Sequence, residues 1–259
     1  GVLSALTSGG DLALNSEGAA GLTVNAVVAN NTVASTLTKV GSGPVTLTSA
    51  NSFSGSTTIG GGSLVLANSD ALQNSTLSTG GLVFDSTVAS HAFMLGGLNG
   101  FFDLPLADNA GTPNAVALSV GKNNANTTLS GNLTGNGSVT KVGTGVLTLS
   151  GTNSFSGGLT VSAGQVTAST IGALGTAAVV NNGVLNLTGA SDIAYTGLSK
   201  GLSGSGTNNV TLGTGGATVY LHGDYSGFTG LWNIGPSAAA GASKVFMNGL
   251  DNPASTVNV

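Results

Sequence analysis

The residues able to do chemistry are few, and their spacing does not suit it. Among 259 residues there are eight Asp, one Glu, five Lys, two His, no Arg and no Cys. Glycosidic cleavage needs two carboxyls roughly 5 to 9 Å apart. Here the nine acids are scattered singly, and an acidic sugar would find no Arg to bind it. Asp103 and Asp108 are the nearest acidic pair. Pro105 between them and the run LADNAGTPN read as a projecting, solvated turn with no histidine or cation close in sequence. His222-Gly223-Asp224 has the residue types for acid/base or metal chemistry, since a carboxylate can orient an imidazole. No second His–acid group repeats it, however, and His91 lies 131 residues away. A polar corner is the expected role. Gly135-Asn136-Gly137 and Gly143-Thr144-Gly145 lack the following helix that a phosphate cradle requires. No catalytic, cofactor-binding or metal-ligating residue is therefore expected, and no cofactor.

Composition narrows the classes further. Charged residues make up 5% of the chain, against about a quarter in an ordinary globular protein. Gly contributes 44 residues, and Ser, Thr and Asn must supply the wettable surface. A net charge of −4 with no basic cluster excludes nucleic acid, whose phosphates demand grouped Lys and Arg. Absence of Cys removes disulfides and thiolate metal sites, as fits an exported bacterial surface protein. No basic leader starts at Gly1 and no run of 18 apolar residues occurs, so the segment is not expected to insert into a membrane. It is expected to be a mature or internal piece of a longer precursor.

The elements that must position any site are strands. No stretch holds apolar residues at i, i+3, i+4 and i+7 for three turns, whereas period-two alternation recurs. Val45, Leu47 and Ile59 share one parity, with Thr46, Thr48 and Thr58 on the other; Leu147, Leu149 and Val161 do the same. That is the half-buried strand pattern, here in short pieces bounded by Gly-rich turns.

A long sentence then occurs twice. Lys39 to Leu66 reads KVGSGPVTLTSANSFSGSTTIGGGSLVL and Lys141 to Ala168 reads KVGTGVLTLSGTNSFSGGLTVSAGQVTA, 102 residues on, with thirteen of 28 positions identical. Such a duplication indicates a repeat architecture. Asn51 and Asn153 suit stacking in a turn, Phe53 and Phe155 suit a coil interior, and Gly55 and Gly157 allow the backbone to turn. These features favour a β-solenoid with parallel ladders over an antiparallel sandwich. A single continuous solenoid is expected over residues 1–259, with units near 38–84 and 140–187 and a degenerate copy near 218–259. In that copy Val219 and Leu221 align with Leu147 and Leu149, and Phe228 and Ile234 with Phe155 and Val161. Coils of about 20 to 25 residues would give ten to thirteen turns, a rod of roughly 50 to 60 Å. Lys39 and Lys141 share one repeat position and are expected at a coil edge, blocking unwanted strand pairing. Thr46-Leu47-Thr48 and Thr148-Leu149-Ser150 read as ordinary outward strand residues.

The repeated positions Gly43, Val45, Leu47, Asn51, Phe53, Gly55, Thr57, Ile59, Gly62 and Leu64 resemble the autotransporter-associated β-strand repeat, or passenger-associated transport repeat. The second copy fits through Gly145, Leu147, Leu149, Gly151, Asn153, Phe155, Gly157, Val161 and Gly164; Leu159 departs where Thr is usual, and Ser49 where Gly is usual. The resemblance implies an all-β, right-handed parallel β-helix in an extracellular or cell-surface bacterial protein, a passenger or stalk of a secretion system. The family's C-terminal membrane barrel has no counterpart in Asn252 to Val259. Partners expected are a further copy, end to end or side by side, and a host or cell-surface glycan or protein. A self-assembling fibre subunit is the alternative reading, since neither end carries a capping helix or charged loop. A polysaccharide-acting β-helix enzyme is the remote one.

Overall fold

The computed structural model describes residues 1–189, 193–195, 197–212, 218–235, 244–248 and 256–258. Within them the chain winds as a parallel β-solenoid of about ten turns. The longest sheet has eleven strands, one per coil, from Asp11–Asn15 to Gly227–Phe228. After each of these strands except Ala92–Leu98 a Gly-rich corner leads to a second face. That face is a four-stranded sheet in the first part of the rod and a seven-stranded sheet in the rest. Ladder partners are all parallel and lie 18 to 26 positions apart, as in Leu64 with Leu82 and Asp11 with Thr36, except for Leu104 with Leu133, 29 apart across the insertion. Eleven rungs at about 4.8 Å make the sheet about 50 Å long. Among the described residues the one helical element is a 3-10 turn, Leu198–Lys200. The short β-branched strands and frequent glycines leave no longer helix to form.

Strand alternation sets the core. In Val45–Leu47, Thr57–Ile59 and Leu159–Val161 the outer residues of each triplet are buried and the middle one is half-buried. Parallel register then stacks like on like. On the second face Leu147, Val166 and Leu185 form one inward column, and Leu149, Ala168 and Leu187 another. The apolar interior is a single continuous cluster from Leu14 to Trp232.

One insertion interrupts the regular winding. Between Ala92–Leu98 and Ala117–Val120 the chain makes an excursion in which Asp108 bridges to Phe84 and Ala107 to Ala115. It covers the last strand of the four-stranded sheet, Leu82–Phe84, while Gly100 bridges Leu129 at the start of the seven-stranded one. The excursion protects an open strand edge that would otherwise invite pairing.

The degenerate third copy is real as strands but occupies different ladders from those its alignment indicates. Ile234 pairs with Val210 in the column of Leu187, Ala168 and Leu149, so Trp232 and Ile234 continue the Leu147/Leu149 columns. Val219 and Leu221 lie instead on a third side with Ile193–Ala194 and Lys244–Asn248, and Phe228 pairs with Gly204 on the long face. Coils near this end are 23 to 26 residues long rather than 19 or 20, so a constant sequence offset falls out of phase with the rungs.

Candidate functional site

The two copies of the repeated sentence build one arrangement twice. Asn51 and Asn153 are each 2% exposed. The Asn153 side-chain carbonyl accepts from the Leu133 N–H of the preceding coil at 2.7 Å, and its amide donates to the Ala173 carbonyl of the following coil at 2.7 Å. Asn51 does the same between the Val28 N–H at 2.8 Å and the Ala71 carbonyl at 2.9 Å. Each asparagine therefore clamps three coils through backbone groups that the ladders leave unpaired. Phe53 and Phe155 are buried two residues further on, and Leu47 and Leu149 point inward from the second face. Gly43, Gly55, Gly145 and Gly157 back onto carbonyls of the preceding coil with no space for a Cβ.

Lys39 and Lys141 do not sit at a coil edge as expected. They are 0% and 1% exposed, inside the rod. Each holds the last inward position of a long-face strand, stacked between Leu14 and Ile59 in one copy and between Val120 and Val161 in the other. Parity decides this: two residues before Lys39 is the buried Leu37, and two before Lys141 is the buried Val139. The amines bend into the corner. Lys39 Nζ donates to the carbonyls of Val40 at 2.9 Å and Gly41 at 2.5 Å; Lys141 Nζ donates to Val142 at 2.6 Å and Gly143 at 3.0 Å. Among the described residues no carboxylate pairs with either.

Burial holds the Lys141 amine below its usual 10.5. The unfolded chain then binds that proton more tightly. Its contribution to stability is fully present above 10.5 and is lost as pH falls through the lowered value. Relative to Lys141→Met, the wild-type urea midpoint is expected to rise as pH is raised toward 10.5 and to level off above it. An offset that stays flat throughout would contradict the assignment.

Asp108 also departs from the expected solvated turn. Its carboxylate is shielded from solvent and lies 3.0 Å from His91 Nδ1. It accepts from the Asn114 side-chain amide and backbone N–H, both at 2.8 Å, and from the Ala110 N–H at 3.2 Å. Burial pushes the carboxyl up, but these hydrogen bonds and the His91 imidazole bring it below the usual range. The group fastens the insertion over the sheet edge. Asp103 is exposed and accepts from Asn132 on the next coil, so the two acids do not share a site. Asp224 accepts from the Ser226 N–H and hydroxyl, which lower its pKa, while His222 packs edge-on against Tyr220. His222-Gly223-Asp224 is thus a polar corner. No group of three metal-ligating side chains occurs among the described residues.

What the copies place together is a coil-building device: an amide clamp, a ring in the interior and an amine in a corner. A family model for the passenger-associated-transport-repeat matches residues 37–66 and 139–168. The chain carries two passenger-associated transport repeats. Each match starts two residues before the buried lysine and ends with the strand after the next corner, so a repeat spans the lysine corner, the clamp and the ring. No curated protein and no solved structure matches the chain. The repeats and the parallel solenoid fit a passenger-like structural domain of an autotransporter, a family whose place is the cell surface or outside the cell.

Proposed function

We propose that this chain is a structural passenger or stalk segment of an autotransporter-like bacterial surface protein, one continuous solenoid through residues 1–259 with a right-handed coil. It displays material at the surface, and its stepwise coiling aids its own secretion. The observation that carries this reading is that both transport repeats devote their shared residues to clamping, filling and turning coils. None of the shared slots presents an acid or a base toward solvent, and the shared exposed hydroxyls, Ser52/Ser154 and Ser54/Ser156, have no histidine or carboxylate among the shared slots to activate them. We read the chain as non-enzymatic, with a glycan or protein of another surface as its adhesive partner. The test places the segment between an export signal and an outer-membrane barrel. Surface exposure should be high with both repeats and fall when residues 139–168 are removed; equal exposure of the two versions would refute a role in secretion. Release of reducing ends or unsaturated products from a glycan panel would refute the non-enzymatic reading.

A stalk outside the cell must survive proteases, and the lysines bear on that. With no Arg, trypsin has only the five lysines to cut after. Two of these are sealed in corners, whereas Lys122 and Lys200 are exposed. Limited trypsinolysis of the folded protein is expected to cut after Lys122 and Lys200 while sparing Lys39 and Lys141, as mass spectrometry of the fragments would read. Early cleavage at either buried lysine would contradict the burial.

Side-by-side assembly is a second reading, favoured by one observation. An outward column on the second face runs Thr128, Thr148, Thr167, Asn186, Asn209 and Asn233, uncharged throughout. Its amides already bond along the rod, Asn233 to Asn209 at 2.9 Å and Asn209 to Asn186 at 2.8 Å. Such a face offers neighbouring rods little charge repulsion. Electron microscopy of purified protein would show bundles or filaments on this reading and single rods on the first.

A further inference from the structure

We infer that each transport-repeat corner is a receptor for a primary amine, walled by backbone carbonyls of one turn and closed by a glycine of the next coil, and that the lysine is its tethered ligand. The inference is independent of the passenger reading, because it rests on the corner's geometry alone. In both copies the carbonyls of the two residues after the lysine turn inward onto Nζ. The second of those residues is a glycine at positive φ, Gly41 at 82° and Gly143 at 67°. The closing residue is also glycine. Gly62 and Gly164 have φ of 59° and 63°, and a Cβ on either would lie 2.8 or 2.9 Å from the lysine Nζ. Corner carbonyls turned into an apolar interior have lost water, and an N–H donor must replace it; Val40 has the Ser16 N–H at 3.2 Å as well, whereas Gly41, Val142 and Gly143 rely on the amine. The amine supplies several donors at the end of a flexible stem, which no apolar side chain can do. The next coil then packs over a corner already satisfied.

An unoccupied corner should therefore accept a free amine. In Lys141→Ala the missing atoms correspond to propylamine, so propylammonium chloride is the probe. Its binding to the folded state alone should raise the variant's thermal midpoint progressively with concentration. Tetramethylammonium chloride at equal ionic strength, which has no N–H, should not, and Lys122→Ala should respond to neither. Lys141→Met separates space from donors: it refills the volume but leaves the carbonyls unpaired, so backbone exchange at the 142–145 corner should accelerate. Absence of a propylammonium-specific rise, or a Met variant with unchanged corner protection, would overturn the proposal. Should Lys141→Ala not fold, wild-type protein suffices. Amine acylation should be about a hundredfold slower at Lys39 and Lys141 than at Lys122, in keeping with reaction only through opening of the coil. Equal rates would overturn it.

Discussion

Asn153→Ala is expected to destabilise its coil by about 2 to 4 kcal/mol, because two buried backbone groups lose their only replacement for water. The Leu133 N–H and the Ala173 carbonyl belong to different coils, 20 residues before and 20 after the asparagine. Truncation therefore severs both couplings at once. In a solenoid each coil is stabilised mainly by its neighbours, so the loss should spread locally rather than unfold the rod in one step. Hydrogen exchange is the suitable measurement. Leu133 should lose protection, along with amides of the coils on either side, while Leu37 and its neighbours keep theirs. Asn153→Asp adds a sign test. Below the carboxyl's pKa an acid can accept and donate much as the amide does; above it the donor is gone and an unpaired charge is buried. The aspartate variant should be more stable in mild acid than at neutral pH. Uniform loss of protection along the rod, or no loss at Leu133, would sink the clamp.

Phe155→Ala should cost about 3 to 5 kcal/mol, the range for removing a fully buried ring with incomplete collapse of the cavity. Phe155 is 0% exposed, and its ring passes within 2.8 Å of where a Cβ on Gly175 would stand. The coil above cannot settle into the vacancy without breaking its ladder to Leu159–Val161. Urea unfolding of the variant should show a lower midpoint, with the matched Phe53→Ala behaving alike. Phe155→Leu should lose less, since part of the volume is kept. A Phe155→Ala protein as stable as one altered at exposed Thr128 would disprove the packing role.

These effects are foreseeable from sequence because the repeated sentence states its own chemistry. Asn, Phe and Gly at matching offsets in two copies imply matching backbone environments, and parity along Val45–Leu47 and Leu147–Leu149 orients the strands. At Lys39 side-chain type misleads: a lysine suggests a coil edge guarded against strand pairing, whereas its parity with Leu37 carries the opposite, correct signal. His91 and Asp108 gave no local sign. They are brought together by the inserted excursion, whose path over Leu82–Phe84 is set by an open strand edge elsewhere. The third copy went out of phase for a similar reason, since ladder partners follow coil length and not sequence offset.

Composition, alternation and duplication by themselves determine a scarcely charged, all-β repeat protein whose copied residues shape coils, because those properties are local and period-bound. Only the tertiary structure decides which corner carbonyls satisfy the buried Lys39 and Lys141 amines, which face each degenerate segment joins, and that Asp108 is buried against His91. Each depends on groups from different coils competing for the same interior, where an amine, a carboxylate or an amide is stable only if another coil supplies its hydrogen-bond partner.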